Sequence, residues 1–289
     1  MYTTHIKENN LIQKILVPVD FSSNSLHAAQ YAGKIATELG AKLELIHVLP
    51  PNYSGNYPEV LPAGLLIEEE RYKAVVSEGE RFKQQLADDW KLSSDEFPLI
   101  IEFGFPEIKI VDYSSQHNFD LIIMGNAGQN NLDKIIFGSV ARSVVQHSSK
   151  PVLLIPESIS FSPYLQMVYA SDQESASDTN VKYAIDLGHL FQSELHFLHI
   201  SDHAVFDSIL KEKIFTKLIE RNKNVEDVTF EVIFNEDVIE GLNNYVKNNH
   251  IDLVILVNRK RTFLERLFES GLTKQLAKEA KLPLLILHH

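Results

Sequence analysis

The chain has 289 residues, of which 44% are hydrophobic and 23% charged; it has no cysteine and a formal net charge of −12. This is a globular balance with apolar material for a core, which excludes disordered, collagen-like and coiled-coil chains. Lack of cysteine excludes disulfides, thiolate nucleophiles, cysteine-held zinc and iron–sulfur clusters, and the acidic excess disfavours nucleic acid or an anionic membrane surface as the main partner. Residues 1–13 are polar, with Lys7, Glu8, Asn9 and Asn10 and no apolar h-region, so no secretory signal is expected. No apolar run reaches the roughly 18 residues of a membrane helix. The expected setting is the cytoplasm.

From the start of the chain, 15–19 is a short β-rich run. Residues 25–39 carry helical spacing through Leu26, Ala29, Ala32, Ile35 and Leu39, and Gly40 ends that helix. A second strand is expected at 43–48, then a Pro/Gly/Tyr loop at 50–64. A helix at 65–90 follows, with Tyr72, Val76, Phe82, Leu86 and Trp90 on one face. Strands are expected at 99–103, 121–124 and 152–155, with helices at 108–115 and 139–147 between them. The runs LIIM and VLLI are continuously apolar, as strands covered on both faces are.

The same unit then recurs. Residues 15–48 align without gaps on 167–200 at an offset of 152. The identities are Asp20/Asp172, Ser23/Ser175, Ser25/Ser177, Tyr31/Tyr183, Ala32/Ala184, Leu43/Leu195 and His47/His199. At an offset of 132, FDLIIMG (119–125) matches IDLVILV (251–257), and KPVLLI (150–155) matches LPLLIL (282–287). Each half carries a formal charge of −6. We expect two homologous domains, 1–156 and 157–289, joined by a Pro/Ser-rich link near 156–163. The alternation of β and α predicts an α/β fold: two tandem doubly wound domains, each a five-stranded parallel sheet of Rossmann-like order 3-2-1-4-5 with flanking helices.

Open α/β sheets bind ligands at the carboxyl ends of their strands, where strand order reverses. Two groups leave such ends in the first copy: Val17-Pro18-Val19-Asp20-Phe21-Ser22 after strand one, and Met124-Gly125-Asn126-Ala127-Gly128 after strand four. Gly138-Ser139-Val140 then opens a helix, so the spacing is G-x2-G-x9-G-S. Glycine admits backbone N–H groups close to an anion, and a helix N-terminus adds free N–H groups and a positive dipole end. Ser139 is suited either to capping that helix or to donating to a phosphate oxygen. Asp20 suits ribose hydroxyls or an adenine amino group. The alternative is that these are turn glycines and a capping serine without a ligand.

These residues resemble the universal stress protein family, and the chain resembles a tandem member of it. The G-x2-G-x9-G-[ST] motif is complete at Gly125, Gly128, Gly138 and Ser139, with the V-P-x-D-x-S start at Val17, Pro18, Asp20 and Ser22. The resemblance implies ATP, with or without Mg2+, in the crevice between strands one and four. Asp20 would meet adenine or ribose, and the Val48 backbone the adenine edge. Gly125 and Gly128 would line ribose and phosphates, and Gly138 and Ser139 would hold the phosphates. The implied site residues are Pro18, Val19, Asp20, Val48, Met124, Gly125, Asn126, Gly128, Gly138, Ser139 and Val140. The resemblance further implies a stress-response regulator, with slow ATP hydrolysis or self-phosphorylation as an alternative and a non-nucleotide scaffold as another. It also implies an intrachain pseudo-dimer, in which 152–155 and 284–287 pair, and a possible homodimer.

The second copy departs from the motif. Its counterparts are Val257, Lys260, Ser270 and Gly271, with only Asp172 kept. Weak or absent ATP binding is expected there. Arg259, Lys260, Arg261 and Arg266 stand where the phosphate loop would be, as another anion site or a solvated loop. His189, His196, His199 and His203 do not read as a metal site, because 196 and 199 point to opposite faces of a strand. His199 repeats His47, which points to a structural role. No P-loop, dinucleotide fingerprint, H-E-x-x-H or G-x-S-x-G motif is present, and no catalytic residue is assigned. Tyr53 and Tyr57 make the 50–64 loop a candidate lid.

Overall fold

In a computed structural model of the protein, the described residues are 11–51, 62–91, 93–126, 138–157, 159–170, 178–201, 227–258 and 282–288. The first half runs β1 (Lys14–Pro18), α1 (Ser23–Leu39), β2 (Lys42–Leu49), α2 (Pro62–Trp90), a 3-10 turn (Ser94–Glu96), β3 (Leu99–Phe103), α3 (Pro106–Gln116), β4 (Leu121–Gly125), α4 (Ser139–His147) and β5 (Val152–Ile155). The second runs β6 (Gln166–Ala170), α5 (Asp178–Phe191), β7 (Glu194–Ser201), β8 (Val228–Phe234), α6 (Val238–Asn248), β9 (Leu253–Asn258) and β10 (Leu284–His288). Helix α1 starts two residues before the apolar pattern does, because the Ser22 side chain accepts from the Ser25 N–H and caps it. It ends where Gly40 adopts φ 65°, a left-handed cap that glycine takes without strain.

The ten strands among the described residues form one sheet in the order β3-β2-β1-β4-β5-β10-β9-β6-β7-β8. Neighbours are parallel except at the seam between the halves. There β5 and β10 run antiparallel, with Leu284 opposite Leu154, Leu285 opposite Leu153 and Ile286 opposite Val152. The last strand of each half is therefore occupied by the other, which removes two apolar edges from solvent. Side chains alternate across the sheet, so Leu153 and Leu285 join one apolar layer while Val152, Leu154 and Ile286 join the other. Both layers run through both halves. Each aliphatic side chain fully buried at the seam contributes about 1.5–3 kcal/mol.

Polar contacts cross the seam as well. His27 Nε2–H donates to the Ile159 carbonyl at 2.6 Å, the Tyr31 and Tyr164 hydroxyls lie 2.8 Å apart, and His288 Nε2–H donates to the Val145 carbonyl at 2.7 Å. A repeated aspartate anchors the first strand of each half. Asp120 Oδ2 accepts from the Gln13 and Lys14 N–H groups at 2.8 and 2.9 Å. Asp252 Oδ2 accepts from those of Leu165 and Gln166 at 2.9 and 3.0 Å. These carboxylates hold the amino end of the first strand, opposite the carboxyl edge of the sheet. No described helix is long and apolar enough to cross a membrane.

Candidate functional site

At the carboxyl edge of the first half, β2, β1 and β4 lie side by side, with Pro18 in register with Ile46 and Leu16 with Ile122. This places Asp20, Val48 and Gly125 at the ends of three adjacent strands. Pro18 and Val19 are buried, and the Val19 N–H extends the ladder by donating to the Ile46 carbonyl at 2.8 Å. The Asp20 Oδ1 accepts from the Ser22 N–H at 3.1 Å and from the Ser22 hydroxyl. The carboxylate is therefore oriented by the first residues of the turn into α1.

That turn is strained. Phe21 has φ 61°, in the left-handed region that a residue with a bulky side chain enters at a cost. Its ring is held by stacking on His47, with centroids 4.4 Å apart, and by an edge contact with Phe82. His47 Nδ1–H donates to the Val19 carbonyl at 2.9 Å, and burial holds the imidazole below its ordinary pKa of 6.5. His47 thus ties the end of β2 to the end of β1 as a neutral ring. Its counterpart His199 is buried at the matching place in β7.

Gly125 ends β4, but the space a Cβ would take is filled from α1. An added Cβ would lie 2.6 Å from Asn24 Nδ2 and 2.9 Å from Asn24 Cγ. Its lack of a side chain serves packing between β4 and α1 first. The Gly138 N–H donates to the Asn126 carbonyl at 2.9 Å. This hydrogen bond brings the N-terminus of α4 back to the end of β4. Gly138, not Ser139, is the N-cap, and no side chain caps the helix. Ser139 is the first helical residue and is exposed, which corrects the capping role considered for it. The N–H groups of the first turn of α4 point out of the helix without intrahelical acceptors, whereas α1 satisfies one of its own through Ser22. Val140 is half-buried against the second apolar layer, and Met124 and Val48 are buried in that layer. Gly128 lies outside the described residues, as do 52–61 with Tyr53 and Tyr57.

In the second half, Val257 replaces Gly125 and is buried in the apolar layer on the α5 side. Asp172, His203, Arg259, Lys260, Arg261, Arg266, Ser270 and Gly271 lie outside the described residues. Among the described residues no group of three or more His, Asp or Glu is placed to hold a metal.

The universal stress protein family model matches twice, over residues 11–156 and 163–288. The chain belongs to the universal stress protein family. Two universal stress proteins of Methanocaldococcus jannaschii are similar to it. One is 32% identical over 153 residues, covering 50% of this chain and 83% of the relative. The other is 29% identical over 163 residues, covering 50% of this chain and 95% of the relative. The crystal structure of a universal stress protein from Archaeoglobus fulgidus matches with a TM-score of 0.69 at 18% identity, covering 97% of this chain and 98% of that one. At that identity the likeness speaks for the fold, here over both halves of a tandem universal stress protein. Asn24, Phe21 and His47 shape this edge without belonging to the glycine–serine motif. Only His47 left a signal in the sequence, by recurring as His199.

Proposed function

We propose that residues 1–156 form an adenine-nucleotide-binding domain that takes ATP at the carboxyl ends of β1 and β4, and that residues 157–289 form a diverged counterpart without that activity. The reading is of a cytoplasmic stress-response regulator, in which the nucleotide is a bound signal. The observation that carries it is the Gly138 N–H bond to the Asn126 carbonyl, which returns an uncapped helix N-terminus to the strand end beside Asp20. The chain's residues suit the parts of a nucleotide separately. The Asp20 carboxylate, oriented by Ser22, accepts from ribose hydroxyls or an adenine amino group. The backbone beyond Val48 offers an edge for the base. The N–H groups at the start of α4, with the Ser139 hydroxyl, donate to phosphate oxygens, with Mg2+ as a companion of the phosphates rather than of a built metal site. In a chain of charge −12 the anion is held by local dipoles against the overall field.

Calorimetric titration of the full chain with ATP tests this. One site per chain is expected, and Gly128→Val abolishes it while the far-ultraviolet circular dichroism is unchanged. Absence of binding removes the reading, and two sites remove the assignment of the second half.

A further inference from the structure

A second opening, of about 290 Å3, lies away from the crevice, between α1, the last turn of α2 and the link that joins the halves. That is near the lower end of the size range of small-molecule sites, about 300–1,000 Å3. Helix α1 contributes His27, Gln30, Tyr31 and Lys34, which fall at i, i+3, i+4 and i+7 and so form one stripe. A helical stripe turned toward the rest of a protein is ordinarily apolar. This one bears an imidazole, an amide, a phenol and an ammonium.

Part of the stripe builds the groove. His27 holds the link through the Ile159 carbonyl, and Tyr31 holds it through the Tyr164 hydroxyl. Gln30 Nε2–H donates to Asp89 Oδ2 at 2.5 Å, which fixes the end of α2 and aims the Asp89 carboxylate. The walls are aromatic. The Trp90 indole lies on the backbone of α1 at Gly33, where an added Cβ would come within 2.2 Å of the ring. Phe161 from the link meets Tyr31 edge-on at 5.2 Å.

The rest is left for a ligand. Lys34 is exposed, and no ion pair within 4.0 Å joins it to Asp89, although both line the groove. One cation and one oriented carboxylate, kept apart over aromatic walls, complement a small molecule with a ring and two opposite charges. We propose that this groove binds a small aromatic zwitterion of the free aromatic amino acid class. Its carboxylate meets Lys34, its ammonium meets Asp89 and its ring lies against Trp90. Ser160 and Phe161 come from the link, so the site exists only where two halves are joined in one chain, and its occupant bridges the first half and the link.

Trp90 is the only tryptophan of the chain and reports directly. The full-length protein is titrated with L-phenylalanine while Trp90 emission is followed. A saturable change at about 1 mM or below is expected, the same with and without ATP. Glycine, which lacks the ring, and phenylpropionate, which lacks the ammonium, are expected to bind at least about tenfold more weakly. Lys34→Ala and Asp89→Asn each weaken binding about tenfold, a loss of about 1.4 kcal/mol, and leave calorimetric ATP binding unchanged. The proposal is overturned by no saturation up to ~10 mM, by equal binding of phenylpropionate, or by indifference to Lys34→Ala. Because ATP binding is measured separately, failure of one site is not failure of the other.

Discussion

The two halves keep the same scaffold positions and fill them with different chemistry. At the amino edge of the sheet, Lys14, Glu44 and Tyr113 form a charged cluster: Lys14 pairs with Glu44 at 3.4 Å, and the Tyr113 hydroxyl donates to Glu44. The repeat offsets map these onto Gln166, His196 and Tyr245. There His196 Nε2 meets Gln166 Oε1 at 2.7 Å and Nδ1 meets the Tyr245 hydroxyl at 2.9 Å. The aspartate beneath, Asp120 or Asp252, is the same in both. Divergence thus spared the group that holds the backbone and changed the side chains around it. At the opposite edge the exchange is one of volume. Gly125 with Asn24 in the first half becomes Val257 with Ala176 in the second. By sequence a large and a small residue have exchanged places, an exchange that conserves volume and leaves no glycine at this strand end.

The largest expected effect tests that trade. Gly125→Val alone drives a branched side chain into Asn24, where even a Cβ would sit at 2.6 Å. It is expected to destabilise the chain by about 1–3 kcal/mol. Asn24→Ala together with Gly125→Val reproduces the residue pair that the second half carries in sequence and is expected to recover most of that stability, a non-additivity that only contacting residues show. ATP binding stays lost in both variants. Urea unfolding and calorimetry check the pair. Equal instability of single and double variants would mean that the second half accommodates Val257 by other means.

How much was legible in the sequence follows from where the determinants lie. The LIIM and VLLI runs announce central strands because both of their faces are covered, and β4 and β5 stand there, next to the seam. The glycine and serine spacing marks the strand end and the helix start without needing the loop between them. The Asn24 contact is not local, since α1 and β4 meet only in the fold, so the sequence motif points to a ligand for Gly125 and gives no sign of its packing against Asn24. The left-handed Phe21 carries no signal, because nothing in a bulky aromatic side chain announces positive φ. Serine is also the stronger capping residue, which points to Ser139; the backbone instead leaves the helix axis one residue earlier, at Gly138. The groove beside Trp90 depends on where the Pro/Ser-rich link runs, and a link has no periodicity to read.

The tyrosines give the next test, with opposite signs from two like substitutions. Tyr31 and Tyr183 are repeat counterparts. Tyr31 reaches Tyr164 across the seam, but the counterpart of Tyr164 is Ile12, which has no polar group. The Tyr183 hydroxyl is buried without a partner, beside a narrow apolar cavity that Ile12, Tyr164 and Leu285 line. Burial raises both phenol pKa values, so both hydroxyls keep their protons. Tyr31→Phe leaves the Tyr164 hydroxyl alone in the core and is expected to cost about 1–3 kcal/mol. Tyr183→Phe removes an unsatisfied hydroxyl and is expected to be neutral or stabilising by up to about 1 kcal/mol. Thermal unfolding of the two variants side by side reads the sign, and a loss of stability in both would show that Tyr183 has a partner.

The smallest effect separates contacts within a half from contacts across the seam. Burial lowers the pKa of His47, which ties β1 to β2, and of His288, which ties β10 to the Val145 carbonyl of α4. The folded chain therefore keeps both rings neutral. Below the ordinary value of 6.5 the unfolded chain takes up protons that the folded one refuses. Stability is accordingly expected to be full above that pH and to fall as the pH drops below about 6.5. His288→Gln retains an N–H donor for Val145 but cannot titrate, so it removes only the share of the slope that belongs to the seam. His47→Gln removes the share internal to the first half. Urea unfolding from neutral pH downward measures both slopes. If His288→Gln leaves the slope intact, the seam contact is not part of the acid response, and the joined halves respond to acid through the first half alone.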